Sequence, residues 1–80
     1  MVFLATTRRG CDDYIALNTA AALWLSATVL TEEEVRHLRS AGRNITTFAH
    51  EVRSDHPDVL AEALATIREH HPSESIWVDV

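Results

Sequence analysis

Apolar positions along this chain come in short runs separated by stretches with helical spacing. Val2-Phe3-Leu4-Ala5-Thr6 is a continuous run at the amino terminus. A run without polar alternation suits a strand covered on both faces and therefore central in a sheet. Thr7-Arg8-Arg9-Gly10 breaks the pattern and reads as a loop. Asp12 can cap a helix reaching about Ala22, with Ile15, Ala16, Thr19 and Leu23 at helical spacing. Tyr14 to Asn18 can also be read as a strand, which would form a hairpin with the first.

Leu23 to Thr28 predicts the next strand, with Leu23, Leu25 and Ala27 on one side and Trp24, Ser26 and Thr28 on the other. The helix after it is the best specified. Thr31-Glu32-Glu33-Glu34 has the form of a capping box, and Leu30 and Val35 stand where a hydrophobic staple belongs. The glutamates suit the positive end of the helix dipole, and Arg36, Arg39 and Arg43 fall toward its negative end. Gly42 is placed for a left-handed cap. Asn44 to Glu51 predicts a third strand. A last helix starts near Pro57, carries the stripe Val59, Leu60, Ala63, Leu64 and Ile67, and stops before Pro72. Ile76 to Val80 closes the chain as a strand, with Ile76, Val78 and Val80 facing the core.

This order predicts one α/β domain over residues 1–80, a four-stranded, mainly parallel sheet with three helices. Helical crossovers between consecutive strands favour parallel neighbours. The competing architecture is an α+β domain with an N-terminal hairpin.

Composition narrows the function classes. Eighty residues allow one small core of marginal stability, and a homodimer is one way to bury more surface. Twelve acidic against seven basic residues give a net charge of −5, which disfavours nucleic-acid binding. All seven basic residues are arginine. Cys11 is the single cysteine, so no internal disulfide is possible. The start of the sequence has no secretory pattern. Its longest apolar stretch, Ala20 to Leu25, is too short for a bilayer span. A cytoplasmic protein that does not engage membranes is expected.

In open parallel sheets, ligands collect beyond the carboxyl ends of the strands. That rim would gather Thr6, Thr7, Arg8, Arg9 and Gly10 after the first strand. Ser26, Thr28 and Thr31 would follow from the second strand, and His50, Glu51 and Arg53 from the third. Hydroxyls, an arginine pair and a glycine near a helix start could hold a phosphate. The segment lacks both the G-x-G-x-x-G and the G-K-[ST] patterns, and no cofactor is implied. His50 could act as an acid or base, but Glu51 beside it points to the opposite face of a strand. His50-Glu51 with His56 misses the H-E-x-x-H spacing, and adjacent His70 and His71 diverge on a helix, so no metal site is assigned. Asp12 and Asp13 oppose activation of the Cys11 thiol.

Trp24 and Trp77 each lie opposite the aliphatic set of their strand. Under helices they are core; on a bare face they form a patch suited to a partner. Three functions are thereby expected. The leading one is a small protein-interaction or regulatory module binding another protein or itself. The second is a phosphate or small-ligand domain using the loop after the first strand, and the third is a small enzyme using His50. No catalytic constellation is assigned.

Overall fold

The computed structural model describes residues 1–79. The element order is β1 (Val2–Ala5), α1 (Arg8–Ala16), β2 (Ala22–Leu25), α2 (Glu32–Ser40), β3 (Ile45–Thr47), α3 (Pro57–His70) and β4 (Ile76–Val78). The strands form one sheet in the order β3-β2-β1-β4, and every pair is parallel. Phe3 sits level with Leu23 on one side and Trp77 on the other. The small α/β architecture therefore stands, and the N-terminal hairpin does not. Residues 14–18, which could have formed its second strand, instead lie in α1 and its C-terminal turn.

Right-handed crossovers fix which face each helix covers. The chain steps from β1 to β2 to β3 in one direction, which sets α1 and α2 on one face. It then crosses back past β2 and β1 to reach β4, which sets α3 on the other. Alternation sorts the core accordingly. Ala5, Leu23, Leu25 and Ile45 pack with Cys11, Tyr14 and Val35 of the first two helices. Val2, Leu4, Ala22 and Trp24 pack with Ala63 and Ile67 of α3.

Helix α2 matches its sequence signals. Thr31 Oγ1 accepts from the Glu34 N–H at 3.1 Å, and Glu34 Oε1 accepts from the Thr31 N–H at 3.0 Å. Gly42 takes φ 88° just past the end, a conformation that favours glycine.

Helix α1 differs from the expectation. It begins at Arg8, capped by Thr7, whose hydroxyl accepts from the Gly10 N–H at 3.1 Å. Arg8, Arg9 and Gly10 form its first turn, so they are not a loop, and Asp12 is not its cap. The buried face is Cys11 and Tyr14, while Ile15 and Leu17 are exposed. The helix stops early because Asn18 turns left-handed at φ 49°. Strand β3 is also shorter than expected, and His50, Glu51 and Arg53 lie in irregular chain beyond it. Ile76 and Val78 pack on the α3 side as expected; Val80 lies outside the described residues.

Candidate functional site

The four carboxyl ends share one rim because all the strands run the same way. The strand order reverses between β1 and β4, and a crevice at such a point is where an open parallel sheet receives a ligand. Here Asp79, just past β4, fills it. Its Oδ1 accepts from the Thr6 N–H at 2.6 Å and from Thr6 Oγ1 at 2.9 Å. Its Oδ2 accepts from the Thr7 N–H at 2.9 Å and from Thr7 Oγ1 at 2.7 Å. A carboxylate of the chain itself thus lies at the start of α1, where the helix dipole favours an anion. Gly10 permits this approach: a Cβ there would lie 1.9 Å from Asp79 Oδ2 and 2.5 Å from Asp79 Cβ.

The other rim residues disperse. Arg8 turns away and pairs with Glu34 on α2, and its Nη1 also reaches the Val29 carbonyl at 3.4 Å. That pairing, reinforced by the Thr31 amide, holds the Glu34 carboxyl down at about 2 and raises Arg8 above its usual value. Arg9 is exposed on the outside of α1. Ser26 is buried, and its Oγ accepts from the Val52 N–H at 2.6 Å, a bond that ties down the segment after β3. Thr28 is exposed at φ 71°, the left-handed region that a β-branched residue seldom adopts. His50 is exposed, with its ring 5.7 Å from Phe48. The His50 carbonyl accepts from the Ala27 N–H at 3.1 Å.

Of the expected rim set, Thr6, Thr7, Glu51 and Arg53 line one opening of about 400 Å³, together with Ser54 and Asp55. Arg53 is bonded there to Asp55 at 3.0 and 2.9 Å. This pair raises the guanidinium and lowers the carboxyl from their ordinary values. The opening thus carries two acidic side chains beside an arginine already engaged. The expected phosphate cradle is accordingly spent on internal partners. Its strongest donors face Asp79, a residue absent from the sequence-level rim, and its arginines are paired or turned outward. The signal for Asp79 lay in its position right after the closing strand, beside the first.

The two tryptophans part company. Trp24 is 6% exposed under α3, 5.3 Å from Phe48 and from His70, and it offers no surface to a partner. Its Nε1 is the one buried side-chain polar atom without a partner among the described residues. Trp77 is 58% exposed. It points to the α1 side of the sheet, where it stacks on Phe3 at 6.2 Å. Neither α1 nor α2 covers this half of the face, because no crossover passes over β4 there. Phe3, Tyr14, Leu17 and Trp77 line a groove of about 250 Å³ between α1 and β4. Leu17 is 61% exposed. Sequence reading treated the tryptophans alike because each opposes its strand's aliphatics. Those aliphatics, however, face α1 and α2 in β2 but α3 in β4.

Cys11 is fully buried beneath α1, and burial, with Asp12 next to it, pushes its thiol up. It is no poised nucleophile. Among the described residues, no three His, Cys, Asp or Glu side chains are grouped to hold a metal ion. Also among them, no helix is long and apolar enough to cross a membrane.

The fold and the surface together define a small three-layer α/β domain with a self-filled crevice and one bare half-face. Comparison with family models, with curated proteins and with solved structures returns no match.

Proposed function

We propose that this domain is a protein-interaction module whose contact surface is the bare half-face at β4, centred on Trp77 with Leu17 and Phe3. The observation that carries the reading is the 58% exposure of Trp77 on the edge strand, beside an apolar groove. Tryptophan is enriched at the energetic centres of interfaces, and an exposed aromatic-aliphatic patch costs solubility unless something covers it. At the rim Asp79 takes the donors of Thr6 and Thr7, which favours the half-face over a phosphate site there. His50 lacks a carboxylate or hydroxyl hydrogen-bonded to its ring among the described residues, so the enzymatic reading has no support in geometry.

A photo-crosslinking side chain in place of Leu17, with a control at exposed Ala61 on α3, tests the reading in cells of the source organism. The expected result is a discrete crosslinked protein from position 17 only. Excess wild-type domain should compete it away, and the W77E variant should not. Crosslinks equal at both positions, or none at position 17, would overturn the proposal.

A further inference from the structure

We infer that the occupant of this surface is a second copy of the chain, joined antiparallel through β4 about Trp77, so that two four-stranded sheets become one of eight. The inference rests on the interaction reading above and names its partner.

The two edges of the sheet are treated differently. At the β3 edge, the Arg39 side chain donates to the outward Ile45 carbonyl from Nε at 3.2 Å and Nη2 at 2.9 Å. An arginine laid along an edge obstructs pairing with another strand. At the β4 edge, no such guard stands among the described residues. Ser75 O accepts from the Val2 N–H at 2.9 Å, and the Asp79 N–H donates to Leu4 O at 3.3 Å. Residues 75, 77 and 79 therefore turn their backbone groups toward β1, and alternation sends those of Ile76 and Val78 outward.

One register satisfies all four outward groups. With Trp77 opposite Trp77 across a two-fold axis, Ile76 of each copy exchanges both hydrogen bonds with Val78 of the other. The tryptophans then form a non-hydrogen-bonded pair, the closer kind, on one face. They fill the trough between the two α1 helices, next to Leu17 of each copy. Ile76 and Val78 meet their counterparts on the α3 side.

Charge is compatible with this register. Centring on Ile76 would bring Glu74 opposite Val78, and centring on Val78 would set Asp79 against Trp77. Centring on Trp77 sets Asp79 opposite neutral Ser75, with the carboxylate already turned inward onto Thr6 and Thr7. No like charges face each other in the paired strands. A patch of this make-up contributes on the order of 400 Å² per copy. With the backbone edge and flanking side chains, two copies enclose about 1,000 Å², the lower bound of a specific interface. The closed two-fold also leaves neither β4 edge open to further strands.

Exchange of charge at position 77 tests the inference. Wild-type protein at ~50 μM should show the mass of a dimer in sedimentation and light scattering. The W77E and W77R variants should each be monomeric, with unchanged circular dichroism and Trp24 emission, because the site is exposed. Mixed in equal amounts, they should recover the dimer, since opposite charges now face each other across the axis. A wild-type monomer up to about 500 μM, or dimeric W77E alone, overturns the second-copy inference. A mixture that stays monomeric overturns the Trp77-centred register. If the wild type is monomeric while position 17 still crosslinks to another protein, the interaction surface stands and its occupant differs. Failure of both experiments removes both.

Discussion

Asp79 holds the two ends of the chain's order together, and its removal should be felt throughout the fold. Asp79→Ala deletes the acceptor of four hydrogen bonds from Thr6 and Thr7. Bonds to a charged group are worth roughly 1.5–3 kcal/mol each, but water can reach the exposed Thr7 donors and recover part of this. The loss of an anion at the start of α1 adds a few tenths of a kcal/mol. A net cost of about 2 kcal/mol follows, and for a domain this small that lowers Tm by about 8–16 °C. Gly10→Ala provides the sharper half of the test. In an ordinary helix the change stabilises by up to ~1 kcal/mol. Here the new Cβ would lie 2.4 Å from Asp79 Cγ, so the whole carboxylate must leave. The substitution should therefore destabilise by about 1–2 kcal/mol, the lost bonds outweighing the helical gain. In an Asp79→Gly background the obstacle is gone, and the same Gly10→Ala change should turn neutral or stabilising. Urea unfolding followed by circular dichroism and Trp24 fluorescence measures all four corners of this cycle. An Asp79→Ala variant within ~0.5 kcal/mol of wild type, or a Gly10→Ala effect identical in both backgrounds, would show that the Asp79 carboxylate does not anchor β4 to the start of α1.

Three other outcomes follow from single contacts. Glu34 is held at about 2 by Arg8 and the Thr31 amide, so its contribution is complete above the unfolded value near 4.5 and is lost as pH falls toward 2. Glu34→Gln should flatten that part of the acid limb in low-salt urea titrations, and an unchanged slope between pH 5 and 2 would contradict it. Ser26→Ala strands the buried Val52 N–H and should cost about 1–3 kcal/mol in the same assay; a loss under about 0.5 would mean that the segment after β3 relaxes freely. Cys11, buried with its thiol pushed up, should resist maleimide at pH 7 in the native state. Its labelling rate should rise with urea in step with unfolding, and fast labelling without denaturant would show local opening of α1.

Elements whose signals are local were legible from sequence. The Thr31–Glu34 box, the staple around it and the Gly42 stop lie within one short stretch, and α2 forms where they say. The parallel order was legible too, because each of the first three strands is followed by enough chain for a helical crossover. The start of α1 was not. Thr7 caps the helix, and its own amide is met by a carboxylate 72 residues further on. Read locally, Asp12 looks the better cap. The internal partners of the rim were hidden for the same reason: Thr6, Thr7 and Arg8 have the chemistry of an anion site, but Asp79 and Glu34 are brought to them by tertiary structure.

The reversal of strand order between β1 and β4 produces both features that matter on this surface. It opens a crevice between two strand ends, and it leaves β4 beyond the reach of the crossovers that put α1 and α2 on their face. The two β4-side residues pointing toward that face are Trp77 and Asp79, two apart and hence of the same parity. One fills the crevice and accepts from the amides and hydroxyls of Thr6 and Thr7, so these donors already face an anion of the chain itself. The other has no helix above it. If a fourth helix passed over β4, Trp77 would be core like Trp24. Among the described residues no helix lies over it, and the unguarded backbone of Ile76 and Val78 beside the indole marks the edge at which the proposed second copy would meet it.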